Sequence, residues 1–280
     1  MTDERSSAGV GAEGAADDAA DADSLVDGRL ATLGEATQAA SELVDASERI
    51  VVLTGAGIST DSRIPDYRGP QGVWTRNPEA EKQATLQNYL ADPEVRRRAW
   101  RNRLDSPIWA AEPNRGHFTL TQLEARRKLH LLITQNVDGL HQLAGSNPDK
   151  VVEVHGTVRE VGCMSCTYLV PMQKVLDRVR LGEDDPECPD CSGILKSATI
   201  SFGQSLVAED LHRAQLAAEA CDLLLAVGST LAVYPIANAV PIAKSTGSAV
   251  VIVNGSPTEM DELGDVVVRG SISDVLPLIV

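Results

Sequence analysis

Two Cys-x-x-Cys pairs stand out first, Cys163-Met-Ser-Cys166 and Cys188-Pro-Asp-Cys191, with 21 residues between them. Thiolates at this spacing match the two knuckles of a zinc ribbon, which close a tetrahedron of four sulfurs around one ion. A closed four-sulfur shell leaves no position for a metal-bound water. The metal is therefore expected to be structural, and the chemistry must be sought elsewhere. The fifth cysteine, Cys221 in EACDLLLAV, precedes an apolar run and reads as a buried thiol.

A second constellation is VVLTGAGISTDSRIPDYRG, residues 51–69. Gly55 and Gly57, with Ala56 between them, allow backbone to approach a phosphate, and Ser59 and Thr60 add hydroxyls and amides. Thr60 stands where the usual dinucleotide fingerprint has its third glycine. No acidic residue follows at the end of a second strand about 20 residues on, so hydride transfer is disfavoured. Pro65 lacks an amide hydrogen and holds Ile64 extended, which takes the chain out of its helix and over the pocket. Such a loop would carry Asp66, Tyr67 and Arg68 to a ligand as a carboxylate for ribose, an aromatic face and a cation for phosphate.

These groups need a scaffold. The runs RIVVLTGAG, KLHLLITQN, VVEVHG, ATISFG, DLLLAVGST, AVVIVNGS and DVVVRGS are apolar enough for strands buried on both faces. Helical-looking segments separate several of them, so the fold class is α/β, a Rossmann-like open parallel sheet with an inserted zinc ribbon and a helical module. Ligands of such sheets bind beyond the carboxyl ends of the strands, where these Gly, Asn, Ser and His residues fall. The expected division is a disordered acidic tail over 1–23 and a dinucleotide-binding domain over 24–161 and 194–280. A helical insertion is expected at about 70–117, and the zinc module over 162–193. From Ser24, a possible cap, Leu25, Leu30, Leu33 and Leu43 are spaced as one helical face.

The net charge of −15 disfavours direct nucleic-acid binding and suits a basic protein substrate. No apolar run reaches the roughly 18 to 20 residues of a membrane span, and the N-terminus lacks a signal-peptide layout, which together point to a cytoplasmic protein.

Taken in order, TGAGISTDSRIPDYRGPQGVW, TQNVDGLH, VHG, the two cysteine pairs, ISFG, VGSTLAVYP and VIVN are similar to the sirtuins, NAD-dependent protein lysine deacylases, from about Leu25 to the C-terminus. On the residues alone, Asn136 and Asp138 read as helix caps and His155 as a structural histidine at a strand end. The resemblance implies other roles. Gln135, Asn136 and Asp138 would line a nicotinamide and ribose pocket, with Asn136 orienting the reacting ribose, and His155 would be the general base. Gly228, Ser229 and Thr230 would meet phosphate and ribose, and Asn254 and Gly255 the adenosine side. An acylated lysine peptide would add as a strand between Phe202-Gly203 and Leu231-Val233. The implied reaction is attack of the acyl oxygen on the nicotinamide ribose, loss of nicotinamide, an alkylimidate, and release of lysine and O-acyl-ADP-ribose. The implied cofactors are NAD as co-substrate and one structural zinc. A mono-ADP-ribosyltransferase using the same pocket, and a non-catalytic module sensing NAD or ADP-ribose that binds acylated lysine, stand as alternatives. Arg63 departs from the small residue common in the family loop, Gln204 from Glu, and Ser229-Thr230 from the Thr-Ser order.

Overall fold

The computed structural model describes residues 23–66, 72–76 and 85–280. The expected acidic tail, apart from Asp23, and two of the loop candidates, Tyr67 and Arg68, lie outside the described residues.

Among the described residues eleven strands form two sheets. The larger has the order β2-β1-β11-β10-β9-β3-β4-β5, where β1 is Ser24–Val26, β2 Arg29–Ala31, β3 Ile50–Thr54, β4 Leu129–Thr134, β5 Val151–Glu153, β9 Leu223–Val227, β10 Ala249–Val253 and β11 Val266–Val268. All pairings from β11 to β5 are parallel. The last residues of β3, β4 and β9 lie side by side, Thr54 against both Thr134 and Val227, so every following loop leaves from one edge.

Burial of both faces explains the apolar runs. On β3, Ile50 and Val52 face the helices Leu33–Ala46 (α1), Arg115–Ala125 (α4) and Ile272–Ile279 (α8), through Ala36, Leu120, Leu123 and Leu276. Val51 and Leu53 face Ala208–Ala220 (α6) and Ala239–Ser245 (α7), through Ala214, Ala217, Val240 and Ala243. At about 25 cal/mol per Å² of apolar surface, these two clusters are the main force holding the sheet.

The smaller sheet is antiparallel, β7-β6-β8, with β6 Gly156–Cys163, β7 Leu169–Pro171 and β8 Leu195–Thr199. It draws on residues on both sides of 162–193. Against it pack helix Met172–Arg180 (α5) and, from the helical segment, Leu86–Ala91 (α2) and Pro93–Leu104 (α3). Trp100 of α3 is fully buried with Val161, Met172, Leu176 and Leu195, and the Tyr89 hydroxyl donates to Leu195 O (2.8 Å).

Two expectations are corrected. Residues from Ser24 do not begin a helix: β1 and β2 form a hairpin through Asp27 and Gly28, both at positive φ (48° and 72°). An Asp-Gly pair is favoured where two successive residues turn left-handed. The helix starts after Thr32, whose side chain and Glu35 form a capping box. The ATISFG run does not join the parallel sheet either, since β8 carries Lys196 and Ser197 and pairs with β6.

Candidate active site

The carboxyl edge of the large sheet opens into one cleft of about 1680 Å³. Its wall begins where β3 ends. Gly55 N–H donates to Val227 O (3.0 Å) and Gly57 N–H to Gly228 O (2.8 Å), tying the loop after β3 to the loop after β9. The contact is backbone on backbone: a Cβ on Gly55 would lie 2.7 Å from Gly228 O, and one on Gly57 2.8 Å from Gly228 Cα. Packing between the two loops is therefore reason enough for these glycines, before any ligand is considered.

Residues 56–62 form a 3₁₀ turn that ends at Arg63, which adopts φ 63°. This left-handed conformation is the one a glycine would supply without strain.

Under the turn lies a buried polar lattice. Ser59 Oγ donates to Asp138 Oδ2 (2.8 Å) and accepts from Asn136 Nδ2 (3.1 Å), which also donates to Gly55 O (3.1 Å). Asp138 also accepts from Leu140 N–H (2.8 Å). The Asn114 backbone N–H donates to His117 Nδ1 (3.3 Å), so the ring proton of His117 is on Nε2, 3.5 Å from Ser59 Oγ. Beside it His141 Nε2 meets Thr54 Oγ1 (3.0 Å), which donates to Thr134 Oγ1 (2.8 Å). The two rings are 5.0 Å apart. Burial pushes His117 down to about 4, against the pull of the Asp138 charge, and His141 down to about 3, so both are neutral near pH 7. They hold position and carry no charge.

His155 follows β5. Its Nδ1 lies 2.9 Å from Gln135 O, a carbonyl that only accepts, so Nδ1 carries a proton and Nε2 is the basic nitrogen of the neutral ring. Gly156, at φ 70°, opens β6 where a Cβ would meet Ala198 O at 2.0 Å. Gln135 in turn donates to Ser229 Oγ (2.8 Å). Glu153, two residues before His155, is pushed up to about 7 by burial and by the charge of Asp138, against a hydrogen bond from Gln142, and its Oε1 has no hydrogen-bond partner among the described residues.

The cleft brings together Gly55, Ala56, Gly57, Ser59, Thr60, Asp66, Gln135, Asn136, Asp138, His155, Phe202, Gly203, Gly228, Ser229, Thr230, Val233, Asn254 and Gly255. Leu231 is not among its lining residues: the side chain is buried in the core, and its N–H donates to Ser229 Oγ (3.1 Å). Sequence reasoning set His117 and His141 aside and did not single out Thr54 or Thr134. The available signal was a threonine closing each of two adjacent apolar strands, in register.

At the far end of the small sheet the four paired cysteines converge, their sulfurs all within 4.8 Å of one another. Cys163 and Cys191 sulfurs are 3.5 Å apart and those of Cys166 and Cys188 3.6 Å. A disulfide needs about 2.05 Å, whereas zinc bonds of about 2.3 Å in a tetrahedron put sulfurs about 3.8 Å apart. Gly193 completes the cradle, since a Cβ there would come within 2.9 Å of Cys163 Sγ. The donor set fits zinc. Cys221 is buried apart from it, donating to Ala218 O (3.3 Å).

Residues 55–235 match the family model described as the Sir2 family. The chain belongs to the Sir2 family. Among its Sir2 relatives, an NAD-dependent protein deacetylase 2 of Streptomyces coelicolor is 49% identical over 228 residues, which span 81% of this chain and 95% of that protein. An NAD-dependent protein deacetylase of Sulfolobus acidocaldarius is 41% identical, over 89% and 95% of the two chains. A solved structure from work on the mechanism and regulation of Sir2 enzymes superposes with a TM-score of 0.79 at 35% identity, over 89% of this chain and 97% of that one. A Sir2 structure with a p53 peptide and NAD gives 0.74 at 33% identity, over 84% and 93%.

Proposed function

We infer that this chain is an NAD-dependent protein lysine deacylase. It moves the acyl group from lysine to ADP-ribose and releases nicotinamide. The observation that carries this reading is that His155, its Nδ1 held by Gln135 O, lines the same cleft as Asn136 and Asp138.

The residues divide the work. Asn136 and Asp138, locked by Ser59, hold the ribose and the carboxamide of nicotinamide in one geometry, so little reorganisation remains when the glycosidic bond breaks. Gly55, Ala56, Gly57, Thr60, Asp66, Gly228, Ser229 and Thr230 bind phosphate and ribose, and Asn254 and Gly255 the adenosine. His155 Nε2 accepts the proton of a ribose hydroxyl after nicotinamide has left, a contribution of about 10²- to 10⁴-fold. Gln135 serves twice, lining the pocket and orienting His155 through its carbonyl. The peptide lies at Phe202, Gly203 and Val233. Cys163, Cys166, Cys188 and Cys191 hold a zinc that ties the small sheet together and takes no part in the reaction.

Acylated lysines in proteins are the substrates, and the location is cytoplasmic. Among the described residues no helix is long and apolar enough to cross a membrane. Mass spectrometry of an acetyl-lysine peptide incubated with NAD is the test. Deacetylated peptide with O-acetyl-ADP-ribose is the expected result, and ADP-ribosylated protein, or neither product, rejects the reading.

A further inference from the structure

Strands β4 and β5 pair in parallel as far as Thr134 and Glu153. Beyond that point residues 134–138 and 154–159 stay side by side through four hydrogen bonds. Val154 N–H donates to Thr134 O (3.1 Å), His155 Nδ1 to Gln135 O (2.9 Å), Val158 N–H to Val137 O (2.9 Å) and Arg159 Nε to Asp138 O (2.9 Å). Two of these donors are backbone amides, which any residue but proline supplies. The other two are side chains, and so depend on the sequence. One is His155; the second is Arg159.

The fourth bond falls under the carboxylate that the cleft uses. Asp138 Oδ2 accepts from Ser59 Oγ (2.8 Å) and Oδ1 from Leu140 N–H (2.8 Å), so both oxygens are held. The main chain beneath them turns at Gly139, with φ 71°, into the helix Leu140–Leu143. A single helical turn is not self-supporting, because nucleation costs more than one turn of hydrogen bonds returns. The direction of the Asp138 peptide therefore depends on what holds its carbonyl.

Arg159 is fitted to that carbonyl. Its stem lies along Gly139, where an added Cβ would come within 3.0 Å of Arg159 Nε and 3.3 Å of its Cγ. The guanidinium carbon stands 5.8 Å from the centre of the Trp109 ring, a cation–π distance. Trp109 belongs to the 3₁₀ turn Pro107–Ala110 that follows α3, and its own Nε1 donates to Arg103 O (2.6 Å). One side chain of β6 thus joins the Asp138 loop to the helical segment. A charged donor makes this bond roughly twice as strong as a neutral one. Asn136 is held separately, by Gly55 O and Ser59 Oγ.

We propose that Arg159 is a positioning residue for the nicotinamide end of NAD: by holding the Asp138 carbonyl it aims the Asp138 carboxylate at the carboxamide, and so strengthens binding of NAD relative to ADP-ribose. The proposal rests on the deacylase reading of the cleft, in which Asp138 meets the carboxamide. ADP-ribose lacks that group, and its ribose, phosphate and adenosine contacts come from residues that this bond does not hold.

The test is isothermal titration of NAD and of ADP-ribose into the full-length native chain, Arg159→Met and Arg159→Lys. The first variant keeps a stem against Gly139 and removes every donor. It should weaken NAD about tenfold and leave ADP-ribose within about twofold of native. Arg159→Lys keeps the charge and a donor, so it should weaken NAD by only about threefold, a change that still reads out the proposal where Arg159→Met does not fold. In deacetylation of an acetyl-lysine peptide the KM for NAD should rise in step, with the KM for the peptide unchanged. Loss of NAD and ADP-ribose affinity by the same factor would mean that Arg159 supports only the fold, and overturns the proposal. So would native NAD affinity in both variants. A native chain that binds NAD without deacetylating the peptide condemns the enzyme reading alone, and the ratio of the two affinities still decides this proposal.

Discussion

Gly228→Ala probes the join on which the cleft is built. Gly228 sits at φ 64°, and a Cβ there would lie 2.5 Å from Ile58 N, 2.8 Å from Gly57 C and 2.8 Å from Ile272 Cδ1. The left-handed conformation costs alanine about 1–2 kcal/mol, and relieving overlap with backbone adds about 1–3 kcal/mol. The sum, about 2–5 kcal/mol, corresponds to a fall in Tm of about 4–20 °C for a chain of this size. The relief must move the loop that carries Ser59, and with it the hydrogen bonds to Asp138 and Asn136. KM for NAD should therefore rise by about tenfold or more, since 1.4 kcal/mol of lost binding already gives that factor. Gly203→Ala is the control: φ is 80°, but nothing lies within 4 Å of the added Cβ, so only the conformational cost of about 1–2 kcal/mol applies. Differential scanning calorimetry and initial-rate kinetics on both variants decide the matter. A Gly228→Ala chain melting within about 2 °C of the native one, with the same KM for NAD, would show that the loop contact is not what shapes the cleft.

Three further outcomes follow from the geometry. Freshly prepared protein should hold one zinc per chain by metal analysis, and strong chelators should shift tryptophan emission to the red by exposing Trp100, which shares a core with Cys188; metal-free protein with native fluorescence contradicts the cradle. Acid should destabilise the chain early: His117 and His141 are buried neutral with folded values below 6.5, so the unfolded chain binds more protons from about pH 6.5 down to 4, and stability falls across that window. The loss is about 2 kcal/mol per histidine at pH 5, and His141→Gln should flatten the slope in urea titrations, an unchanged slope counting against the assignment. Arg63→Gly should raise stability by about 0.5–1 kcal/mol, because relief of the left-handed arginine outweighs the extra chain entropy of glycine; a lower Tm refutes it.

What the sequence made legible was set by how local the physics is. Six of the seven apolar runs are strands of the parallel sheet, because burial on both faces leaves little room for polar residues and gives Val51-Val52-Leu53 or Leu223-Leu224-Leu225 one reading. The cysteine pairs were legible because zinc coordination dictates ligand type and spacing. The β1–β2 hairpin was missed since each strand has three residues, too few for a period of two to show, and Leu25, Leu30 and Leu33 imitate a helix; Asp27-Gly28 was the better guide. The pairing of β8 with β6 depends on partners more than 30 positions away. The histidine lattice was hidden for the same reason: Ser59, His117 and Asp138 are neighbours only after β3, α4 and β4 have packed. The resemblance to sirtuins supplied the roles of the cleft residues, and the geometry supplied the reason for Gly55, Gly57, Gly156 and Gly228.

The central claim, that one cleft breaks the nicotinamide bond before His155 is needed as a base, is tested most directly with His155→Ala, an acetyl-lysine peptide, NAD and isotopically labelled nicotinamide. The account predicts that label still enters NAD at a measurable fraction of the native rate while deacetylated peptide falls by about 10²-fold or more. Undiminished deacetylation by this variant, or loss of exchange in a chain that still binds NAD, would contradict it.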